Sequence, residues 1–215
     1  MIIMIKLDKL TISKAGNVIF RDLSYAFHYG KPYALMGSSG SGKSTLLNGI
    51  AGFEKFDSGN IYIHNKRLVT NHRFYKLQLG YLFQNYGLID NLSVEKNINI
   101  GLAFKKNSKK IKRQIIVSLL KDLDMNIDLT RKVSTLSGGE QQRVALIRLL
   151  LKDPTIILAD EPTGSVDKEN GERILSKLLS TLNNKKVIII ATHDINIARK
   201  CDVILNIADL NTNST

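Results

Sequence analysis

The chain has 215 residues, 43% hydrophobic and 23% charged, a balance that fits a globular protein with a sizeable core and excludes a disordered one. With 15 Gly and 3 Pro it is not collagen-like, and no apolar stretch approaches the ~20 residues of a membrane-crossing helix. The formal net charge is +12, and the single cysteine, Cys201, excludes an internal disulfide and fits a reducing cytoplasm.

In chain order, residues 2–7 and 20–29 alternate apolar and polar with period two, as half-buried antiparallel strands do. The opening run has no basic residues before it and is expected to be a strand, not a signal peptide. Residues 31–36 form an apolar strand that feeds a glycine-rich turn and then a helix over 44–51, closed by Gly52. Residues 61–63 and 80–83 are short strands. From Ser93, a helix N-cap, to Leu151 the pattern is helical, with an apolar stripe at Ile111, Ile115, Leu119 and Leu123. Strands resume at 155–159, 187–191 and 203–207. Strands alternating with helices predict an α/β fold with a mixed, largely parallel sheet. The expected division is a core of residues 1–84 and 152–215, with an antiparallel β part, interrupted by a helical insert over 85–151.

Six of the positive charges fall within residues 105–113 (KKNSKKIKR), with no acid among them. The run lacks interleaved aromatics on which bases could stack, so no nucleic-acid partner is expected. It reads as a solvated linker and helix face, with an anionic membrane surface as the alternative.

Three stretches carry chemistry. Gly37, Ser38, Ser39, Gly40, Ser41, Gly42, Lys43 and Ser44 fit the phosphate loop G-x-x-x-x-G-K-[ST] between a strand and a helix. Its backbone N–H groups curl round phosphate oxygens, with the dipole's positive end of the following helix behind them. Lys43 is placed to reach the β and γ phosphates and Ser44 to ligate Mg²⁺, with Thr45 beside it. Residues 156–161 (IILADE) are a buried-type strand ending in two carboxylates. Alternation points them apart, so Asp160 is assigned to Mg²⁺ through water and Glu161 to the water that attacks the γ-phosphate. Ser137 with Glu140 makes a capping box opening a helix to about Leu151. Gly138 and Gly139 in its first turn cost roughly 1 kcal/mol each relative to Ala and bare N–H groups at an anion-binding helix start.

The order GSSGSGKS, LFQ, LSGGEQQR, IILADEPTGSVD and ATHD resembles the nucleotide-binding subunit of ABC transporters over nearly the whole chain. Its wording is most similar to the macrolide-exporter, lipoprotein-release and cell-division ATPases, and within them to exporters of bacteriocins or antimicrobial peptides. The resemblance implies an ABC ATPase fold and an ATPase that uses ATP and Mg²⁺. It also implies a homodimer in the ATP-bound state and an integral-membrane permease partner, at the cytoplasmic face of the membrane. It assigns Gln84 to the Mg²⁺ site and its link to the membrane subunits. Ser137 and Gly139 correspond to residues that bind the partner protomer's γ-phosphate, residues 165–167 including Asp167 to a loop crossing the dimer interface, and His193 to the switch histidine. The remaining histidines (His28, His64 and His72) match no site. The family's adenine-stacking aromatic has no counterpart before Phe20, so weak discrimination between bases is expected. Among relatives in motif, DNA-repair and chromosome-organising ATPases carry long coiled coils and translation-associated ATPases two cassettes, and this chain has neither. A subunit that signals through a membrane partner without transport is the remaining alternative.

Overall fold

The computed structural model describes residues 2–106, 108–164 and 166–212. By its internal contacts the chain divides into two compact units: Met1–Tyr81, Thr155–Glu161 and Leu182–Thr215, and then Leu82–Pro154 with Pro162–Thr181.

The first unit opens on a long hairpin, β1 (Ile3–Lys14) and β2 (Asn17–His28), turned by Ala15 and Gly16 at φ 49° and 80°. The sequence pattern shows only its two ends, because the register shifts between Leu7 and Leu10 and again between Leu10 and Ile12. Such bulges break the period-two alternation on which a strand is read. Then come β3 (Pro32–Met36), α1 (Lys43–Ala51), β4 (Ser58–Ile63), the two-residue β5 (Lys66–Arg67) and β6 (Leu79–Leu82). After the second unit's insert the first unit resumes with β7 (Ile156–Asp160), β8 (Val187–Thr192), α6 (Ile195–Ala198), β9 (Val203–Asn206) and α7 (Ile207–Thr212).

Two sheets result. One is antiparallel in the order β2-β1-β4-β5; the other runs β6-β7-β8-β3-β9, with β7, β8, β3 and β9 parallel. Every residue of β7 and β8 is buried, which is why they read as unbroken apolar runs. Helix α1 buries Leu46, Leu47 and Ile50 in the same core, so the turn before it is held at the carboxyl end of β3. The α/β class with a mixed, largely parallel sheet and an antiparallel β part is as expected.

The second unit holds α2 (Val94–Gly101), α3 (Lys109–Asp122), α4 (Gly138–Lys152) and α5 (Lys168–Leu179). Ser93 caps α2, its hydroxyl accepting from Lys96 N. The stripe expected on α3 is corrected: Ile116, Leu120 and Leu123 are buried, while Ile111 is 45% and Ile115 37% exposed. With apolar residues at 111, 115, 116, 117, 119, 120 and 123, the sequence offers two adjacent stripes, and packing against the unit selects only one. Helix α5, five of whose twelve residues are charged and which buries Gly171, Ile174, Leu175 and Leu178, had not been singled out from the sequence.

Candidate functional site

Residues 37–42 lead from β3 into α1, with Gly42 in the N-cap position at φ 101°. A Cβ on Gly42 would lie 2.6 Å from Ile19 Cγ2, so both backbone angle and space call for glycine. No side chain caps α1, and its first-turn N–H groups point at the loop, an arrangement suited to an anion. Lys43 is 6% exposed, and its ammonium donates to the carbonyls of Gly37 (2.7 Å) and Ser38 (3.0 Å). Thr45 is also buried, and the buried Ser41 hydroxyl has no hydrogen-bond partner among the described residues.

Asp160 ends β7 at 8% exposure. Burial pushes its carboxyl up and a hydrogen bond from Ser44 pulls it down; the neighbouring Glu161 raises it and Lys43 lowers it. Its Oδ1 is buried without a hydrogen-bond partner among the described residues, beside the Ser44 hydroxyl. That donor set, a carboxylate with an unspent oxygen next to a hydroxyl, fits a hard divalent cation such as Mg²⁺.

Glu161 lies one residue past the strand, at φ 46°, its N–H donating to Ala191 O at 2.9 Å. Its Oε1 is 2.9 Å from His193 Nδ1 and 3.9 Å from Lys43 Nζ, and the Thr192 hydroxyl lies 3.5 Å from Oε2. Strict alternation would send Asp160 and Glu161 to opposite sides. The left-handed backbone instead turns Glu161 so that both carboxylates fall within electrostatic reach of Lys43. A left-handed non-glycine residue is strained, and such strain clusters at functional sites. The first unit therefore brings together Gly37 to Thr45, Asp160, Glu161 and His193. Phe20 is fully buried, so no aromatic before or at that position is free to stack on a base.

In the second unit α4 begins as expected. The Ser137 hydroxyl accepts from Glu140 N at 3.3 Å, and Glu140 Oε2 accepts from both Ser137 N and Ser137 Oγ at 2.8 Å. The backbone bond from Ser137 and then its hydroxyl hold the Glu140 carboxyl below its ordinary value. Ser137 is exposed, with Gly138 and Gly139 half-exposed beside it. Asp167 caps α5, accepting from Asn170 N at 3.0 Å, while Ser165 lies outside the described residues. Gln84 is exposed at the start of the loop leading to α2.

Three polar side chains not found from the sequence shape these elements. Asn97, fully buried in α2, accepts from Ile89 N (2.8 Å) and donates to Ile89 O (3.0 Å) and Ser93 O (3.2 Å). Arg148 of α4 donates to Tyr86 O at 3.2 Å, so the loop after Gln84 is tied at two points. Gln142, 1% exposed, donates its amide to Pro162 O. A signal for Asn97 exists: it stands at the i+3 place of the buried set Val94, Ile98 and Gly101, where an apolar residue is the rule.

The family profile described as ABC transporter matches residues 20–164, about two thirds of the chain. The chain belongs to the ABC transporter family. It is the ATP-binding, ATP-hydrolysing part of such a system, of the kind found in the macrolide and lipoprotein-release group. The lipoprotein-releasing system ATP-binding protein LolD of Treponema denticola is 37% identical over 203 residues, 90% of this chain and 89% of that protein. The macrolide export ATP-binding/permease protein MacB of Bartonella quintana is 33% identical over 94% of this chain, which spans only 31% of that longer protein. Among solved structures, the ATP-binding cassette MJ0796 in a dimeric post-hydrolysis state, bound to ADP and Pi, superposes with a TM-score of 0.84 at 32% identity, covering 94% of each chain. This ABC ATPase shares its fold with that cassette over 94% of its length.

Proposed function

We propose that two copies of this chain close head to tail on two ATP molecules and pass that closure to a separate membrane permease, at the cytoplasmic face, driving export of a peptide or amphipathic substrate. The single observation that carries the dimer is the exposed start of α4. Ser137, Gly138 and Gly139 present an anion-binding helix end, while the chain's one triphosphate loop is a different element, already built around Lys43. An isologous pairing would supply each loop with the other chain's Ser137, and the dimeric MJ0796 cassette lends weight to it. The names of LolD and MacB, which speak of lipoprotein release and macrolide export, support the permease and the amphipathic cargo.

In this reading Lys43 leaves its loop carbonyls for the γ-phosphate, and Gly37 to Gly42 donate N–H groups to the phosphates. Ser44 and Asp160, with Gln84, would hold Mg²⁺, which neutralises phosphate charge. Glu161 polarises the attacking water, and His193, already in contact with that carboxylate, positions it. The loop Gln84–Ile89 would dock the permease: Ile89 is 47% exposed in a loop pinned from both sides.

Mixing two inactive variants tests the shared site. Lys43→Ala with Ser137→Arg should recover hydrolysis, up to about a quarter of wild type if half the dimers are mixed and sites act independently. A chain carrying both changes, mixed with wild type, should add none. Activity of the second mixed dimers with none from the first would mean that each site is built within one chain.

A further inference from the structure

From Lys96 to Lys121 the chain contains no Asp or Glu, and the structure gives this acid-free stretch a shape. On the outward half of α3, Ile111 and Ile115 are exposed at i and i+4, and Val117 is 53% exposed. Lys110 and Arg113 are exposed on the same helix and Lys106 just before it, and none of the three forms an ion pair among the described residues. Lys105, by contrast, faces Asp153 at 4.0 Å, and Lys112 is turned inward to Leu102 O. Ile115 and Leu119 continue into a groove of about 470 Å³ lined by Leu102, Leu150 and Leu151 together with the charged Lys105, Asp153 and Lys177.

An acidic peptide could pair with the cations but would leave the apolar row uncovered. A surface that is negative outside and hydrocarbon inside satisfies both rows at once. We propose that this face of α3, with Lys106 before it, lies directly on anionic lipid headgroups, Ile111 and Ile115 entering the acyl boundary while Lys106 and Lys110 meet the phosphates; Arg113, about 160° round the helix from both isoleucines, lies outside that face. Lipid contact by this face needs no permease, so it and the permease docking proposed above stand or fall separately.

The test is flotation of the wild-type chain with vesicles of phosphatidylcholine containing one third phosphatidylglycerol, against phosphatidylcholine alone. Binding is expected to the anionic vesicles only and to weaken with added salt. Reversing Lys106 and Lys110 to Glu should lower the partition at least about tenfold, and Ile111→Asn with Ile115→Asn should lower it severalfold, with nucleotide binding unchanged in both. A control of equal charge, Lys66→Glu and Arg67→Glu in β5, should leave most of the binding. No binding of wild type, or equal loss from the control, would overturn the assignment, the latter by reducing the effect to net charge. Should the α3 variants fail to fold, amide exchange of wild type settles it: vesicles should slow exchange from residues 110–117, and slowing elsewhere alone would contradict the proposal.

Discussion

At the phosphate loop the charged groups already hold one another: Lys43 donates to two loop carbonyls, Asp160 accepts from Ser44, and Glu161 sits between Lys43 and His193. At the start of α4 the polar groups are equally well bonded, but only to each other, Ser137 to Glu140, on an exposed surface. The first arrangement buries Lys43 and Asp160, is strained at Glu161 and leaves unspent oxygens on Ser41 and Asp160, so its residues answer to chemistry. The second is a relaxed helix cap, whose residues answer to stability until a second surface meets it. A residue's burial and unspent bonding capacity thus separate a reacting site from a docking one, even where both are built to receive phosphate.

Substitutions can break that contrast. The largest effect is expected in the first unit: Lys43→Ala should abolish nucleotide binding and hydrolysis, whereas Glu161→Gln should slow hydrolysis by about a hundredfold or more while ATP stays bound. Equilibrium binding and single-turnover hydrolysis check this; wild-type hydrolysis by Glu161→Gln would remove Glu161 from its role. In the second unit the expected losses are in stability. Asn97→Leu leaves the N–H of Ile89 without its partner, while the carbonyls of Ile89 and Ser93 keep only the backbone bonds from Leu92 N and residue 97 N, and should cost about 1–3 kcal/mol in a denaturant titration. Its secondary consequence, loosening of the Gln84 loop, should appear as faster amide exchange over residues 85–92.

Smaller still is the pH response of the cap. Glu140 is held below its ordinary value of 4.5, so its contribution is present above that value and lost as pH falls towards the lowered one. Thermal melts of wild type and Glu140→Gln should therefore converge in acid, separate as the pH rises towards about 4.5 and stay apart above it. The smallest difference expected is between ATP and GTP. With Phe20 buried and no earlier aromatic, competition titrations should show less than about the fivefold preference that one stacked base supplies at the low end of its range.

The sequence makes the reacting site legible because its demands are local. A phosphate loop needs glycines and a lysine at fixed offsets, and a buried strand must end where Asp160 does. The capping box is read for the same reason, since Ser137 and Glu140 are bonded across a single turn. What escapes is set by distant partners. The left-handed turn at Glu161 depends on Ala191 of β8, the burial of Phe20 on the core beneath α1, and the choice between two stripes on α3 on what packs there. The full length of β1 and β2 was hidden by bulges, which leave no period in the sequence.

The head-to-tail dimer is tested most directly by the solution mass of Glu161→Gln protein, which should bind ATP without turning it over. Light scattering should show the mass double when ATP is added, and adding Ser137→Arg to the same chain should prevent the doubling while leaving nucleotide binding intact. A mass unchanged by bound ATP, or doubling that survives Ser137→Arg, would contradict a site shared between two chains.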